Sequence, residues 1–427
     1  MYGLTPFRFI GKLALEIVLM DMKSYWLRLA PKAWPAIVMS LPLVCASALN
    51  NGHAADLAGF FPRTGVLLGV YAEPMTNTAE QAILKLEQEI GRRFCVDHQY
   101  YQWQDGIPTA YETWTASQGR IPFVAWKPKN TNDLSPIRWS VITNGDWDWW
   151  ITNRANAFRQ FGQLTLMTFH HEPENDQDSP GVTNYGTAVE YQAAFRHVVS
   201  LFRNQGVTNV IWAVVLTRPS YTDPATGGQV QADRWYPGDD VVDVIGCDGY
   251  NWYPAKTNAT WISFSNVFSG FYAWGTTNHQ KPLLIAEFGC MEDTNNSVRK
   301  ADWFAEIPNV LEQWPAVRAV CYFNHHDPKY PWNLDSSLAS LDAFQTMGMN
   351  GYLYPPRPVT LNCFLSPGFA TLQIIGGIGS NCQIEYADSP GSANWITLTN
   401  LILTNSPSVF LDSGPANGVF QRYYRCP

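Results

Sequence analysis

Charge is scarce in this chain. Asp, Glu, Lys and Arg make up only 15% of its 427 residues, and their balance is negative, −8 with histidine neutral. No run of Lys or Arg stands in the region beyond residue 55, so the basic footprint of a nucleic-acid binder is missing and no such partner is expected. A Gly-x-Gly-x-x-Gly turn and a phosphate loop are both absent, which leaves no nucleotide cofactor implied. A serine nucleophile would need its Gly-x-Ser-x-Gly elbow, and the chain has none. The clusters His170-His171-Glu172 and His325-His326-Asp327 lack the His-Glu-x-x-His spacing that sets two ligands on one helical face, so no metal is expected.

Aromatic residues, by contrast, are abundant at 14%, with 18 Trp. Most must fill a core, but a flat amphipathic ring also stacks on the apolar CH face of a sugar. Hydrophobic residues at 46% are ample for one large domain and a small one.

Lys23, Arg28 and Lys32 precede an uncharged stretch from Ala33 to Gly52 that ends among small residues, Ala46-Ser47-Ala48 and Ala54-Ala55. This is the pattern of an export signal over residues 1–55, cleaved between about 46 and 56. Pro35, Pro42 and the polar Asn50-Asn51-Gly52-His53 argue against a stable membrane span. The mature chain is expected to be secreted, periplasmic or at the cell surface. Of the 8 cysteines, Cys45 leaves with the signal, and Cys95, Cys247 and Cys321 lie in apolar strand segments where free buried thiols are expected. Only Cys363, Cys382 and Cys426, in the C-terminal tail, are candidates for a bridge, with their pairing open.

Short apolar runs alternate with helix-period stretches from Gly65 to about Gly348, the pattern of a parallel sheet wrapped in helices. The runs are 65–72, 93–99, 121–126, 164–169, 210–216, 241–247, 282–286 and 317–323, and their number is that which closes a (β/α)8 barrel. Amphipathic spacing predicts helices over 78–90 and 298–314, the second kinked or split by Pro308. Pro355-Pro356-Arg357-Pro358 marks a linker, after which helical patterning stops. Ala370–Ile375, Asn381–Tyr386, Asn394–Leu398 and Gln421–Arg425 read as strands between turn clusters. The expected division is therefore a barrel over 56–354 and a small all-β sandwich of Ig-like type over 359–427.

Two of the apolar runs end in glutamate: Leu164-Thr-Leu-Met-Thr-Phe-His-His-Glu172 and Pro282-Leu-Leu-Ile-Ala-Glu287. Catalytic residues of a barrel gather at the C-terminal ends of its strands. Two carboxyl groups held about 5 Å apart can cleave a glycosidic bond with retention, one as proton donor and the other as nucleophile. Glu172 would close the fourth strand and Glu287 the seventh. His171 can hydrogen-bond a substrate or orient a carboxylate, and Glu174, just beyond Pro173, is a rival for the acid role.

His171-Glu172-Pro173, Tyr236-Pro-Gly-Asp-Asp-Val-Val-Asp-Val-Ile-Gly-Cys-Asp248-Gly-Tyr250-Asn251 and Ile285-Ala-Glu287-Phe-Gly289, in this order, resemble glycoside hydrolase family 26. The resemblance spans roughly residues 65–348. It implies a (β/α)8 retaining endo-β-mannanase with Glu172 as acid/base and Glu287 as nucleophile. It further implies a Tyr250 hydroxyl on the nucleophile and support from Asp248. His171 stands where many members of the clan have Asn.

Two departures bear on substrate. Trp126-Lys127 replaces a Trp-His pair at the end of the third strand, and Cys321-Tyr322-Phe323-Asn324 ends the eighth strand where a Trp floor is usual. Tyr322 is then the expected floor, Lys127 a cationic contact, and Trp103, Trp126, Trp252 and Trp332 the candidate sugar platforms. β-1,4-Mannan is the first expected substrate, with β-1,3-xylan, mixed-linkage β-glucan, or non-catalytic glycan binding as alternatives. The chain is expected to act as a monomer on a polysaccharide.

Overall fold

The computed structural model describes residues 60–62, 64–222, 230–353, 360–366, 369–375, 381–389, 391–402, 408–413 and 422–426. The export region, Cys45 and the proline linker lie outside the described residues. The barrel strands are β1 (Leu67–Ala72), β2 (Val96–Tyr101), β3 (Ile121–Trp126), β4 (Thr165–Phe169), β5 (Val210–Thr217), β6 (Val244–Asn251), β7 (Leu283–Cys290) and β8 (Val317–Asn324). They pair in parallel in sequence order, and β8 closes on β1.

Helices α1 (Ala79–Ile90), α2 (Ala110–Ser117), α3 (Trp139–Thr143), α4 (Asp148–Phe161) and α5 (Ala188–Asn204) alternate with the first five strands. α6 (Ala232–Trp235), α7 (Phe264–Asn278), α8 (Arg299–Gln313) and α9 (Leu338–Gly348) follow. Local chemistry sets the starts of three of them. Thr78 with Gln81, Thr109 with Glu112 and Thr187 with Glu190 form capping boxes at α1, α2 and α5, each satisfying amides that a helix start leaves free. Pro308 does not split α8. It is buried within a continuous helix beside Ile307 and Leu311, so packing of that face outweighs the hydrogen bond the ring removes.

Alternation along the strands divides the apolar residues into two clusters. Leu67, Val96, Phe123, Leu166, Ile211, Ala213, Val244, Leu284 and Ala319 fill the barrel interior. Leu68, Val70, Val124, Met167, Val214, Ile245, Ile285 and Val320 face the helices. The interior is so tightly filled that a Cβ on Gly69 would meet Val96 Cβ and Cys321 Sγ at 2.7 Å. Phe60 and Phe61, edge to face at 4.5 Å, join the interior cluster ahead of β1. At the other end polar and aromatic side chains take over, which leaves the C-terminal ends of the strands open to a cleft.

One irregularity decides where β7 points. Cys247 pairs with Ile285, but the next residue, Asp248, pairs with Glu287, so Ala286 is an extra residue. Such a bulge re-aims the side chains beyond it. Leu284 and Ala286 both belong to the interior; without the extra residue Glu287 would follow Ile285 to the helix side.

Beyond the barrel, β9 (Thr360–Ser366), β10 (Phe369–Ile375) and β13 (Ser408–Asp412) form one antiparallel sheet. β11 (Asn381–Ala387), β12 (Ile396–Ile402) and β14 (Tyr423–Arg425) form a second. Leu372 and Ile374 of the first pack with Cys382 and Ile384 of the second. Four of the six strands match the turn-bounded runs of the sequence. β9 and β13 do not, since Thr360–Ser366 follows directly on the prolines and Ser408–Asp412 has only five residues.

A buried ion pair ties α1 to the loop before β3. Arg120 meets Glu87 through Nε at 2.8 Å and Nη2 at 2.5 Å, with side chains 0% and 7% exposed, and Glu87 also accepts from the Phe94 amide at 2.9 Å. Arg120→Met leaves that carboxylate buried without its partner, so the barrel is expected to lose about 3–5 kcal/mol, read as a lowered urea midpoint. An unchanged midpoint would contradict this account of the pair.

Candidate active site

The chain leaves β4 under backbone strain. His170 and Glu172 both have φ of +52°, a region that side chains other than glycine enter at a cost of about 1–3 kcal/mol. Neighbouring strands hold them there: the His170 amide donates to Trp126 O at 3.0 Å and the Glu172 amide to Val215 O at 2.9 Å. The His170 ring is fully buried. Its Nδ1 accepts from Trp139 Nε1 at 3.0 Å, so Nε2 carries the proton that faces Asp176 at 2.8 Å. Burial holds the ring neutral, its pKa lowered to about 4. His171 and Glu172 then face the cleft.

Glu174, the rival acid, is engaged elsewhere. Its Oε1 accepts from the Thr217 amide at 2.5 Å, Thr217 Oγ1 at 2.8 Å and Ser220 Oγ at 2.8 Å. It is absent from the cleft lining and pins the turn after Glu172 to the end of β5.

Glu287 is 6% exposed and accepts two phenol protons, from Tyr100 on Oε1 at 2.5 Å and from Tyr250 on Oε2. Burial raises its pKa, and both phenols pull it down by stabilising the carboxylate. Glu172, which accepts from Asn175 Nδ2 at 3.0 Å, is raised to about 8, by burial first, then by the charges of Glu287 and Glu174. Asp248, two positions below Tyr250 on β6, is 2% exposed. Its carboxyl lies against that of Glu172, a contact that favours the protonated form. Burial, then Glu287 and Glu172, push its pKa well up, favouring the neutral acid. One oxygen from each of Glu172, Asp248 and Glu287 lies within 4.8 Å of the others. This is the one group of three or more such ligands among the described residues close enough to hold a cation.

These groups line a cavity of about 810 Å³. On one wall Phe323 stacks between Tyr71, at 5.2 Å and 19°, and His325, at 5.3 Å and 13°. Glu73 holds His325 Nε2 at 3.1 Å. On another wall Trp332 lies 4.7 Å from Tyr250 and 4.9 Å from Trp252, centroid to centroid. Gly289 makes room, for a Cβ there would stand 3.0 Å from both the Trp332 and Tyr250 rings. Lys256 Nζ sits 3.3 Å over Trp252, and Arg218 also reaches the cavity.

Of the residues expected at the site, Glu172, Glu287, His171, Asp248, Tyr250, Trp252 and Trp332 meet in this cavity. Trp103, Trp126, Tyr322 and Lys127 do not. Trp126 follows the alternation of β3 to the helix side, fully buried and stacked 4.1 Å from Trp103. Tyr322 likewise points outward from β8, and its neighbour Phe323 takes the floor. The Tyr322 hydroxyl instead donates to Trp332 O at 2.5 Å and positions that residue from behind. Lys127 is paired with Asp176 at 2.5 Å; from there its charge still opposes the rise in Glu172. The sequence reading missed Tyr71, Tyr100 and Phe323. The signal lay in the alternation: Leu67, Gly69, Tyr71 and Val96, His98, Tyr100 are inward positions continued to the cleft.

No family model matches the chain. It is 30% identical over 290 residues to Endoglucanase H of Acetivibrio thermocellus, a match covering 66% of this chain and 30% of that protein. It is 26% identical over 149 residues to Beta-1,3-xylanase TXYA of a Vibrio species, covering 34% and 28% respectively. The chain thus spans less than a third of the length of these relatives. Among solved structures, a modular endo-beta-1,4-mannanase from Cellulomonas fimi, described as belonging to glycoside hydrolase family 26, matches with TM-score 0.48 and 14% identity. That match covers 82% of this chain and 93% of the other. A ruminal GH26 endo-beta-1,4-mannanase matches with TM-score 0.48 and 15% identity over 69% and 65%. The chain is similar over part of their length to these two curated proteins, an endoglucanase and a beta-1,3-xylanase.

The coupling between the two glutamates can be read directly. In Glu287→Gln the like charge beside Glu172 is gone, so the Glu172 pKa is expected to fall from about 8 toward the ordinary glutamate range. Carboxyl NMR titration of the variant checks it, and a pKa that stays put would mean that the charge of Glu287 does not set it.

Proposed function

We propose that this chain is a secreted retaining endo-β-glycanase, acting on β-linked polysaccharide and first of all on β-1,4-mannan. The observation that carries the reading is the approach of Glu172 and Glu287, oxygens within 4.8 Å, the spacing at which one carboxylate attacks the anomeric carbon while the other protonates the leaving oxygen. Glu172, held protonated near neutral pH, donates its proton to the glycosidic oxygen. Glu287, ionised and held by two phenols, attacks from the opposite face and forms a glycosyl ester. Glu172, now a carboxylate, takes a proton from the water that hydrolyses the ester, and both groups return to their starting states. The Tyr71, Phe323 and Trp332 rings offer apolar faces to the sugars.

A second substrate reading has its own support. Lys127 and Phe323 depart from the motif pattern, and the relative at 30% identity is named an endoglucanase, which favours β-glucan as the alternative polysaccharide; β-1,3-xylan follows from the Vibrio relative. A glycan binder without catalysis would have no use for a matched pair of carboxyls with opposed environments. The proposed catalytic unit is 56–354, the β module 359–427 and the export region 1–55. No helix among the described residues is long and apolar enough to cross a membrane.

Glu287→Ala is expected to reduce turnover to background on every β-glycan while polysaccharide binding persists. Glu172→Ala is expected to lower kcat by about 10²–10⁴-fold, with azide restoring rate on substrates carrying a good leaving group. Reducing-sugar release from galactomannan, glucomannan, lichenan and β-1,3-xylan measures both activity and substrate; near-wild-type rates in both variants would end the proposal. The wild-type rate should also fall as pH rises past about 8, where Glu172 loses its proton. A profile flat through that range would remove Glu172 from the acid role.

A further inference from the structure

The cysteines of the barrel and of the β module differ in their surroundings. Cys95, Cys247, Cys290 and Cys321 are buried thiols of the barrel, and Cys363 on β9 is exposed. Cys382 on β11 and Cys426, just past β14, bring their Sγ atoms within 3.0 Å of each other. The strand register explains the approach. Glu385 pairs with Arg425 and Tyr386 with Tyr424, so the next antiparallel step sets Ile384 opposite Cys426. Cys382 lies one alternate position further along the same inward face, in the cluster with Leu372 and Ile374. We propose that Cys382 and Cys426 close into a disulfide that fastens β14 to β11.

β14 has only three residues, yet it carries connections to both sheets. Arg425 Nε donates to Glu385 Oε2 at 2.7 Å within its own sheet. Arg422 Nη1, at 2.6 Å, and the Tyr424 hydroxyl, at 2.8 Å, both reach Asp412 on β13 of the facing sheet. A strand of three residues held by so few backbone bonds opens readily. A covalent link closing a loop between positions 44 apart removes chain entropy from the opened state.

The bond forms by exchange with a small disulfide such as oxidised glutathione. Cys426, the more open of the two, loses its proton and its sulfur attacks the reagent, releasing one glutathione thiolate and leaving a mixed disulfide. Burial, then the neighbouring Cys426, holds the Cys382 thiol up to about 12, so it acts second, attacking the Cys426 sulfur and releasing the other glutathione thiolate. The two thiol protons end on the two released glutathiones. The protein is oxidised by two electrons and the reagent reduced by two.

The full chain, incubated with oxidised glutathione, alkylated in denaturant without reductant and digested, is to be mapped by mass spectrometry. The expected result is a Cys382–Cys426 linked peptide pair lighter by two hydrogens, with Cys363 and the barrel cysteines alkylated. Recovery of Cys382 and Cys426 mainly in alkylated form, or of either joined to Cys363, would overturn the proposal. Reduction of the linked protein should then speed hydrogen exchange at Tyr423–Arg425 by about tenfold or more, and unchanged exchange would refute the fastening. Neither readout depends on glycan cleavage.

Discussion

Two carboxyl groups too close to be ionised together at little cost occupy one cleft, and much of the surrounding structure assigns the single proton between them. Glu287 receives two phenol hydrogens, which favour its anion. Glu172 receives one amide hydrogen from Asn175 and the full repulsion of its neighbour. The difference in donors breaks a near symmetry. Asp248, a third acid buried beside Glu287 and Glu172, is best accommodated neutral, so it adds bulk and polarity without adding a second negative charge.

The barrel gives up regularity where these groups need aim. Residues with left-handed backbone stand on either side of His171, and an extra residue interrupts β7 just before Glu287. Each departure is held by ordinary interactions: strand-to-strand amide bonds at His170 and Glu172, and the three donors on Glu174 that fix the following turn. Strain at the strand ends is thus supported by a closed sheet whose interior leaves no room even for a methyl group at Gly69.

The eight-strand pattern was legible because apolar runs and helix-period stretches obey simple periods over many residues; β3 runs over the expected 121–126 and β8 ends one residue beyond the expected 323. Site residues were legible where a carboxyl group or a motif marked them. Alternation was the missing step. Tyr322 and Phe323 are neighbours of similar chemistry, and only their parity relative to Ala319 and Cys321 tells which one faces the cavity. The same count sends Trp126 outward and Tyr100 inward. For Glu287 the count alone would mislead, because the bulge at Ala286 leaves no mark in composition. Tyr322 shows a further limit: a side chain outside the cleft still acts on it, through one hydrogen bond to the backbone of Trp332.

The aromatic pair Phe60 and Phe61 sits at the end of the barrel opposite the cleft, against Leu67 and the other interior residues. It works as a stopper contributed by chain that precedes β1. Loss of Phe60 and Phe61 would admit water to the interior cluster from below, beneath the strand ends that carry Glu172 and Glu287 into the cleft.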